Sequence, residues 1–326
     1  MLVLSSADVE AVLDRDALAD AVGAALAELS AGRVSMPPRV AAEAASGGLL
    51  AAMPGSLSGL GALGAKLVSV FPANVDRPTH QAVIVLFDPE SGTPTALIDG
   101  TILTAARTAA ASAVATRHLA RADARILAIL GTGVQAHAHA LAVPNVCPAL
   151  EEIRVAGRDP EKAAAFARKL RDTVGLRVTA AASFADALAE ADIVCATTHS
   201  PEPVVRRAWL RAGTHVNSVG FNTAGREVDA PTVCDALVVV ESRAAVLAPI
   251  PAGANELLWP IRDGLIEPEH IHAELGELVA GTRPGRSTAS EITLYKSVGV
   301  AAEDLAAAML VASAATTRGV GTTFDL

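Results

Sequence analysis

The residues best suited to chemistry fall into two groups of different character. One is Gly131-x-Gly133-x-x-Ala136, within RILAILGTGVQA, where an apolar run of strand length leads into the glycines and then into a helix-like stretch. Gly131 permits a tight turn, Gly133 leaves room for a pyrophosphate at a helix N-terminus, and Ala136 lets helix and strand pack closely. In that setting the spacing predicts dinucleotide binding rather than an ordinary turn. The other group is cationic: Arg39 in MPPRVAAEA, Lys66 in LGALGAKLVSVFP and Arg107 in LTAARTAAASA. One such residue in a half-buried stretch usually extends its charge to solvent. Three in a region poor in charge are expected to hold a carboxylate. Arg offers a planar fork, and a partly desolvated Lys can lose its proton near neutral pH and so do acid–base work.

About 20 residues past a dinucleotide loop, the end of the next strand reads the adenosine ribose. Here that end is VAGRDPEK, with Gly157 and Arg158 in place of an acid. Arg158, with Lys162 one turn on, would clamp a 2′-phosphate and so favour NADP(H), with NAD(H) as the lesser alternative. Two other readings stand beside it: Arg158 as a solvated residue with Asp159 capping a helix, or Asp159 as the ribose ligand. No metal is expected. His137 and His139, like His270 and His272, are spaced i, i+2, on different faces of a helix. Cys195 lies in an apolar strand and reads as a core residue. Apart from His215 inside the apolar run itself, the strand end THVNSVGFNTAGREVD (214–229) offers no His, no Cys and no carboxylate before Glu227, so proton transfer is expected from elsewhere.

These groups need elements to hold them. From about residue 124, apolar runs (RILAIL, IRVAG, DIVCATT, HVNSVG and ALVVV) alternate with helix-like stretches, the pattern of buried parallel strands in a doubly wound α/β sheet. Before residue 120 a helix is expected from Ser5 or Ser6 to Gly32. Hairpins follow at Ser46–Gly48 and Asp88–Gly92, so this part reads as an antiparallel or mixed α+β unit. Residues 101–120 read as one long helix. The last helix, 301–320, is apolar on most faces and is expected to return to the first domain or to a dimer interface.

With 326 residues, 51% of them hydrophobic, the chain has material for two domains. A formal charge of -9 without a basic stripe argues against nucleic-acid and anionic-membrane partners. No apolar run reaches the roughly 20 residues of a spanning helix. The first residues lack a basic segment, so no secretion signal is expected, and three scattered cysteines fit reduced thiols in the cytoplasm.

The chain resembles the ornithine cyclodeaminase and mu-crystallin family over nearly its full length. The resemblance rests on MPPR (36–39), GAKLVSVFPAN (64–74), LFDPESGTPTALIDG (86–100), LTAARTAAASA (103–113), ILGTGVQA (129–136), GTHVNSVG (213–220) and the long stretch 274–308. It implies a substrate-binding and dimerisation domain (1–120 with 303–326) around a Rossmann domain (121–302), a homodimer, and hydride transfer between NAD(P) and the α-carbon of imino or amino acids. By match, Arg39, Lys66 and Arg107 take the substrate carboxylate, with Lys66 the favoured proton handler. Thr79, His80 and Thr108 line the nicotinamide half of the cofactor site. Gly131, Gly133, Val134 and Gln135 form the pyrophosphate loop, Arg158 meets a 2′-phosphate, Thr197 and Val219 follow the cofactor, and Ser297 lies near the active site.

In ornithine cyclodeaminases the loop after VG carries an aspartate that takes the amine proton. This chain has Phe221-Asn222, and Asn can orient an amine or a water but not accept a proton. That favours an NADP(H)-preferring reductase of small α-imino acids, such as a ketimine or pyrroline-2-carboxylate reductase, or an alanine-dehydrogenase-like enzyme. The alternatives are ornithine cyclodeamination with recycled NAD and, outside catalysis, an NADP(H)- or small-ligand-binding protein.

Overall fold

The computed structural model describes residues 1–325, and the chain divides into two compact units. Unit 1 is Met1–Arg107 together with the segment from Gly299 onward, and unit 2 is Thr108–Val298. The dividing line falls inside a helix, between Arg107 and Thr108, and not after residue 120; at the far end it falls before Gly299 rather than at 303.

Unit 1 opens with strand β1 (Leu2–Leu4), followed by α1 (Ser6–Val12) and α2 (Arg15–Ser30). The single helix expected here is two, because Leu13 is extended and Asp14 starts a new helix, its carboxylate accepting from the amides of Asp16 and Ala17. Strands β2 (Val34–Ser35), β3 (Val40–Glu43), β4 (Leu49–Leu57), β5 (Ala62–Val70), β6 (His80–Phe87) and β7 (Pro94–Asp99) follow. Neighbours from β3 to β7 pair antiparallel, while β1 lies parallel to β7, so the sheet is mixed. In β4 the residues Ala51, Met53 and Leu57 are buried and Leu50 is exposed, the alternation of a sheet covered on one face. Lys66 of β5 stands opposite Met53 of β4 and Ile84 of β6, on the covered face. Helix α3 (Gly100–Leu119) then carries the chain out of the unit.

Unit 2 contains a fully parallel sheet. Its strands are β8 (Ile126–Leu130), β9 (Glu152–Ala156), β10 (Arg177–Ala180), β11 (Ile193–Ala196), β12 (His215–Ser218), β13 (Leu237–Val240), β14 (Ile271–Glu274) and β15 (Thr293–Lys296), in the spatial order β10-β9-β8-β11-β12-β15-β13-β14. The helices between them are α4 (Val134–Val146), α5 (Pro160–Arg171), α6 (Phe184–Leu188), α7 (Ala230–Asp235), α8 (Arg243–Val246), α9 (Asn255–Arg262) and α10 (Leu275–Val279). Strands β11, β12 and β15 are buried along their whole length, as central parallel strands covered on both faces must be. Strand order reverses between β8 and β11, and ligands of such sheets bind outside the carboxyl ends of the strands at that reversal. His270 and His272, expected on a helix, instead flank the entry to β14, where each shares a hydrogen bond with a backbone carbonyl.

The chain returns to unit 1 as α11 (Ala301–Arg318), which packs on α2, β4 and β5. A short strand, β16 (Thr322–Thr323), pairs with β1.

Candidate active site

Unit 1 gathers its three cations. Lys66 is 3% exposed and Arg107 4%, so neither sends its charge out to solvent. Lys66 Nζ lies 2.7 Å from Asp304 Oδ2, and Arg107 donates from Nε to Asp304 Oδ1 at 2.8 Å and from Nη1 to Glu303 Oε2 at 2.6 Å. Arg39 donates to the Gly299 carbonyl at 2.8 Å. Both carboxylates sit in the first turn of α11 and are fully buried. Loss of hydration pulls the Lys66 ammonium down to about 8; Asp304 opposes this, and the charges of Arg107 and Arg39 reinforce it. Burial pushes the Asp304 carboxyl the other way, but the charges of Arg107 and Lys66 outweigh it and hold the group below the ordinary aspartate range. Lys66 is therefore an amine that can give or take a proton near neutrality.

Glu303 and Asp304 were not among the residues expected from sequence. Acids in the first turn of a helix ordinarily answer the helix dipole. The available signal was their place as an adjacent acid pair in a helix otherwise rich in Ala and apolar on most faces. Thr79 and His80 lie at the start of β6, with Oγ1 and Nδ1 3.1 Å apart. Both belong to unit 1; Thr108, buried next to Arg107 on α3, belongs to unit 2.

Unit 2 holds the glycine loop. It leaves β8 at Gly131, whose φ of +117° suits glycine, and a Cβ there would come 2.8 Å from Thr197 Oγ1 at the end of β11. Thr197 in turn donates to the Leu130 carbonyl at 2.8 Å, so two strand ends and the loop form one rigid edge. Gly133 caps α4 with open space on its Cβ side. Gln135 Oε1 is buried and has no hydrogen-bond partner among the described residues. An open backbone, a helix N-terminus and a buried polar atom still to be satisfied fit the pyrophosphate of a dinucleotide. The helix behind them is anchored by His139, buried, with Nδ1 against the Gln135 carbonyl at 2.8 Å and Nε2 against Ser112 Oγ at 2.9 Å. Burial brings its imidazole down to about 4, so it is neutral at pH 7.

At the end of β9, Arg158 is exposed and makes no hydrogen bond or ion pair among the described residues. Asp159 caps α5, its Oδ1 accepting from the amides of Glu161 and Lys162, and Lys162 Nζ is 3.8 Å from its other oxygen. Asp159 thus behaves as a cap, and Arg158 stays available. Val219 and Ser297 continue the edge: the Val219 amide donates to Ala196 and the Ser297 amide to Ser218. Asn222 lies in the loop after β12 with both ends of its amide engaged. Nδ2 donates to the His199 carbonyl at 3.0 Å and Oδ1 accepts from the Ala224 amide at 2.8 Å. An amide nitrogen donates two hydrogen bonds and an amide oxygen accepts two, so each end keeps one further position with which an amine or a water could be oriented. Cys195 is a core residue of β11, as expected, and burial raises its thiol.

The family model described as the ornithine cyclodeaminase/mu-crystallin family matches residues 1–319. The chain belongs to this family. Among the curated relatives, a Delta(1)-pyrroline-2-carboxylate reductase of Bacillus cereus is 38% identical over 326 residues, covering 98% of both chains. Among solved structures, the Delta(1)-pyrroline-2-carboxylate reductase of Thermococcus litoralis, in complex with NADH and L-proline, superposes with a TM-score of 0.94 at 39% identity. It covers 99% of this chain and all of that one. An archaeal alanine dehydrogenase dimer with bound NAD superposes with a TM-score of 0.90 at 31% identity, covering 100% of this chain and 99% of that one. As in these family members, the fold is α/β with a Rossmann-type parallel sheet.

Proposed function

We propose that the protein is an NAD(P)H-dependent reductase of small α-imino acids, with cyclic imines such as pyrroline-2-carboxylate as its substrate class and the corresponding amino acid as product. The observation that carries this reading is the buried Lys66 flanked by two arginines in unit 1 of a chain whose unit 2 ends β8 in a dinucleotide loop. Arg39 and Arg107 take the substrate carboxylate, and the Lys66 ammonium carries the proton that the imine nitrogen needs. Gly131, Gly133, Val134 and Gln135 take the pyrophosphate, and Thr108, Thr197, Val219 and Ser297, all in unit 2, take the nicotinamide half. The chemistry supplied by a bound reduced nicotinamide is hydride donation to the carbon of the C=N bond. The reductase and dehydrogenase names of the relatives support this assignment.

The enzyme works in the cytoplasm as a homodimer. In support, Val40, Leu50 and Val83 are exposed apolar residues on the strands of the unit 1 sheet, and the archaeal relative is a dimer. None of the described helices is long and apolar enough to cross a membrane.

The test is oxidation of NADPH and NADH, followed at 340 nm, with pyrroline-2-carboxylate, piperideine-2-carboxylate, and pyruvate plus ammonia or methylamine. Ornithine plus NAD is assayed for proline alongside. Consumption with an imino acid is the expected result; proline from ornithine without net NADH change would overturn it. Preference for NADP(H) rests on the uncommitted Arg158, against relatives solved with NADH and NAD. Arg158→Ala should therefore raise KM for NADPH at least about tenfold, the scale of one lost charge-assisted contact of about 1.5–3 kcal/mol, and leave KM for NADH nearly unchanged. Equal effects on both cofactors would reduce Arg158 to a solvated surface residue.

A further inference from the structure

The carboxylates on α11 form a second half of the cation cluster, and their placement is specific. Asp304 is shared: one oxygen meets Arg107 Nε and the other Lys66 Nζ, so a residue of α3 and a residue of β5 are held by the same side chain. Glu303, one position earlier, takes Arg107 Nη1. Arg39 reaches the carbonyl of Gly299, two residues before α11 begins. The stretch Gly299–Asp304 thus touches all three cations. With two of its nitrogens bound to two buried oxygens, the Arg107 guanidinium plane is fixed rather than free to rotate.

Charge sharpens the point. Three cations against two carboxylates leave a single net positive charge, in a place where both acids and two of the three cations are almost wholly buried. Without the acids, three like charges would repel one another and the cluster would bind anions indiscriminately. With them, one monoanionic carboxylate completes the neutralisation and a second has no partner. The charged groups acting on Lys66 are Asp304 from α11, Arg107 from α3, and Arg39 from the segment before β3, with Glu303 of α11 held against Arg107. The residues paired with it on β4 and β6, Met53 and Ile84, carry no charge.

We infer that Asp304 and Glu303 are positioning residues of the substrate site: they aim Lys66 and Arg107 and set the net charge of the cluster so that it accepts a monocarboxylate in preference to a dicarboxylate. This rests on the reading of the cluster as a carboxylate site. Asp304 fixes Lys66 directly, and Glu303 acts through Arg107.

The chain contains only four lysines, Lys66, Lys162, Lys169 and Lys296, so the titration of Lys66 can be followed by carbon-13 NMR of lysine-labelled, full-length protein, with assignment from Lys66→Arg. The wild-type midpoint is expected at about 8. In Asp304→Asn it should fall by about 1 to 3 units, because the attraction that retains the proton is gone while Arg107 and Arg39 remain. Asp304→Glu should restore it in large part. An unchanged midpoint in Asp304→Asn would overturn the assignment.

Should that variant fail to fold, Glu303→Gln tests the charge argument by calorimetric binding of propionate and succinate to the holoenzyme. The wild-type protein should prefer propionate, and the variant, with one more net positive charge, should shift the affinity ratio toward succinate by about tenfold. A ratio that does not move overturns the proposal. Because NMR and calorimetry do not require turnover, they separate the two readings. A wild-type protein that turns over imino acids but shows neither shift refutes the positioning role alone. Both shifts in a protein that reduces no imino acid refute the proposed reaction alone.

Discussion

Replacing Lys66 by Met is expected to lower kcat/KM for imino acid reduction by about 10²- to 10⁴-fold, the usual worth of a placed proton donor, while the dissociation constant for NADPH stays as it is. The size follows from the site. Lys66 is buried, its ammonium is held by one carboxylate, and the elements that pack around it place no other titratable amine there. Met preserves the volume of the lysine stem. Asp304 keeps its bond to Arg107 Nε, so no isolated charge is left behind and the melting temperature should change little. The pH profile gives a second view of the same group. A reaction that takes a proton from Lys66 needs the ammonium form, which exists below its midpoint. The wild-type rate should be level below about pH 8 and fall about tenfold per pH unit above it, well before an ordinary lysine at 10.5 would lose its proton. Steady-state rates with pyrroline-2-carboxylate, and a fluorescence titration of NADPH, check both. A variant that reduces substrate at the normal rate removes Lys66 from the chemistry.

How much of this was legible in the sequence depended on the range of the interaction. The glycine loop was readable because its determinants are consecutive: an apolar strand, Gly131, Gly133 and a helix start lie within a dozen residues of chain, and the structure joins them in that order. Apolar runs located β8, β9, β11, β12 and β13 for the same reason. Strand β15 escaped notice although it lies between β12 and β13, because TLYK is short and ends in a lysine that only a buried ion network tolerates. Edge strand β10, with Arg177 and Thr179 alternating with apolar residues, carries too weak a pattern to stand out. Arg39, Lys66 and Arg107 were noticed as charges in uncharged surroundings, but their partners were not. Glu303 and Asp304 lie roughly 200 positions downstream of Arg107, and nothing in local spacing links the first turn of the last long helix to β5. The loop after β12 gives the same lesson in reverse. Glu227 was seen as the first carboxylate after the strand, yet in the fold it points inward and serves the loop backbone.

Lys296→Met should lower the stability of the protein by about 3–5 kcal/mol, the usual cost of breaking a buried ion pair from one side. Lys296 is 1% exposed at the end of β15. Its Nζ donates to the Gly220 carbonyl at 2.7 Å and to Ser218 Oγ at 3.3 Å, and lies 3.4 Å from Glu256 Oε2. The Gly220 amide donates to Glu227 Oε2 at 2.7 Å, so the backbone N–H and C=O of one residue are each held by a buried charge. Glu256 in turn accepts from the Glu227 amide at 2.9 Å. Without the lysine, two buried carboxylates would face each other through shared backbone with no cation between them. Burial already holds the Glu227 carboxyl above its ordinary range, and Lys296 is the strongest opposing influence. In the variant it should rise further and take up a proton. The sign of the resulting pH dependence follows: an acid that binds its proton more tightly in the folded state loses stability as pH rises through its folded midpoint, so the deficit should be smaller in mild acid than at pH 8. The same residue starts the loop that continues through Asn222, whose carbonyl, with those of Thr223 and Gly225, accepts from Asn255 Nδ2 at 3.0 to 3.2 Å. Loosening Gly220 should therefore release a loop next to Val219 and weaken NADPH binding before it alters chemistry at Lys66. Urea denaturation at pH 6 and pH 8, with NADPH affinity measured on the folded variant, checks the chain of effects. Equal stability losses at the two pH values would show that the ammonium, and not its pairing with the carboxylates, is what the fold misses.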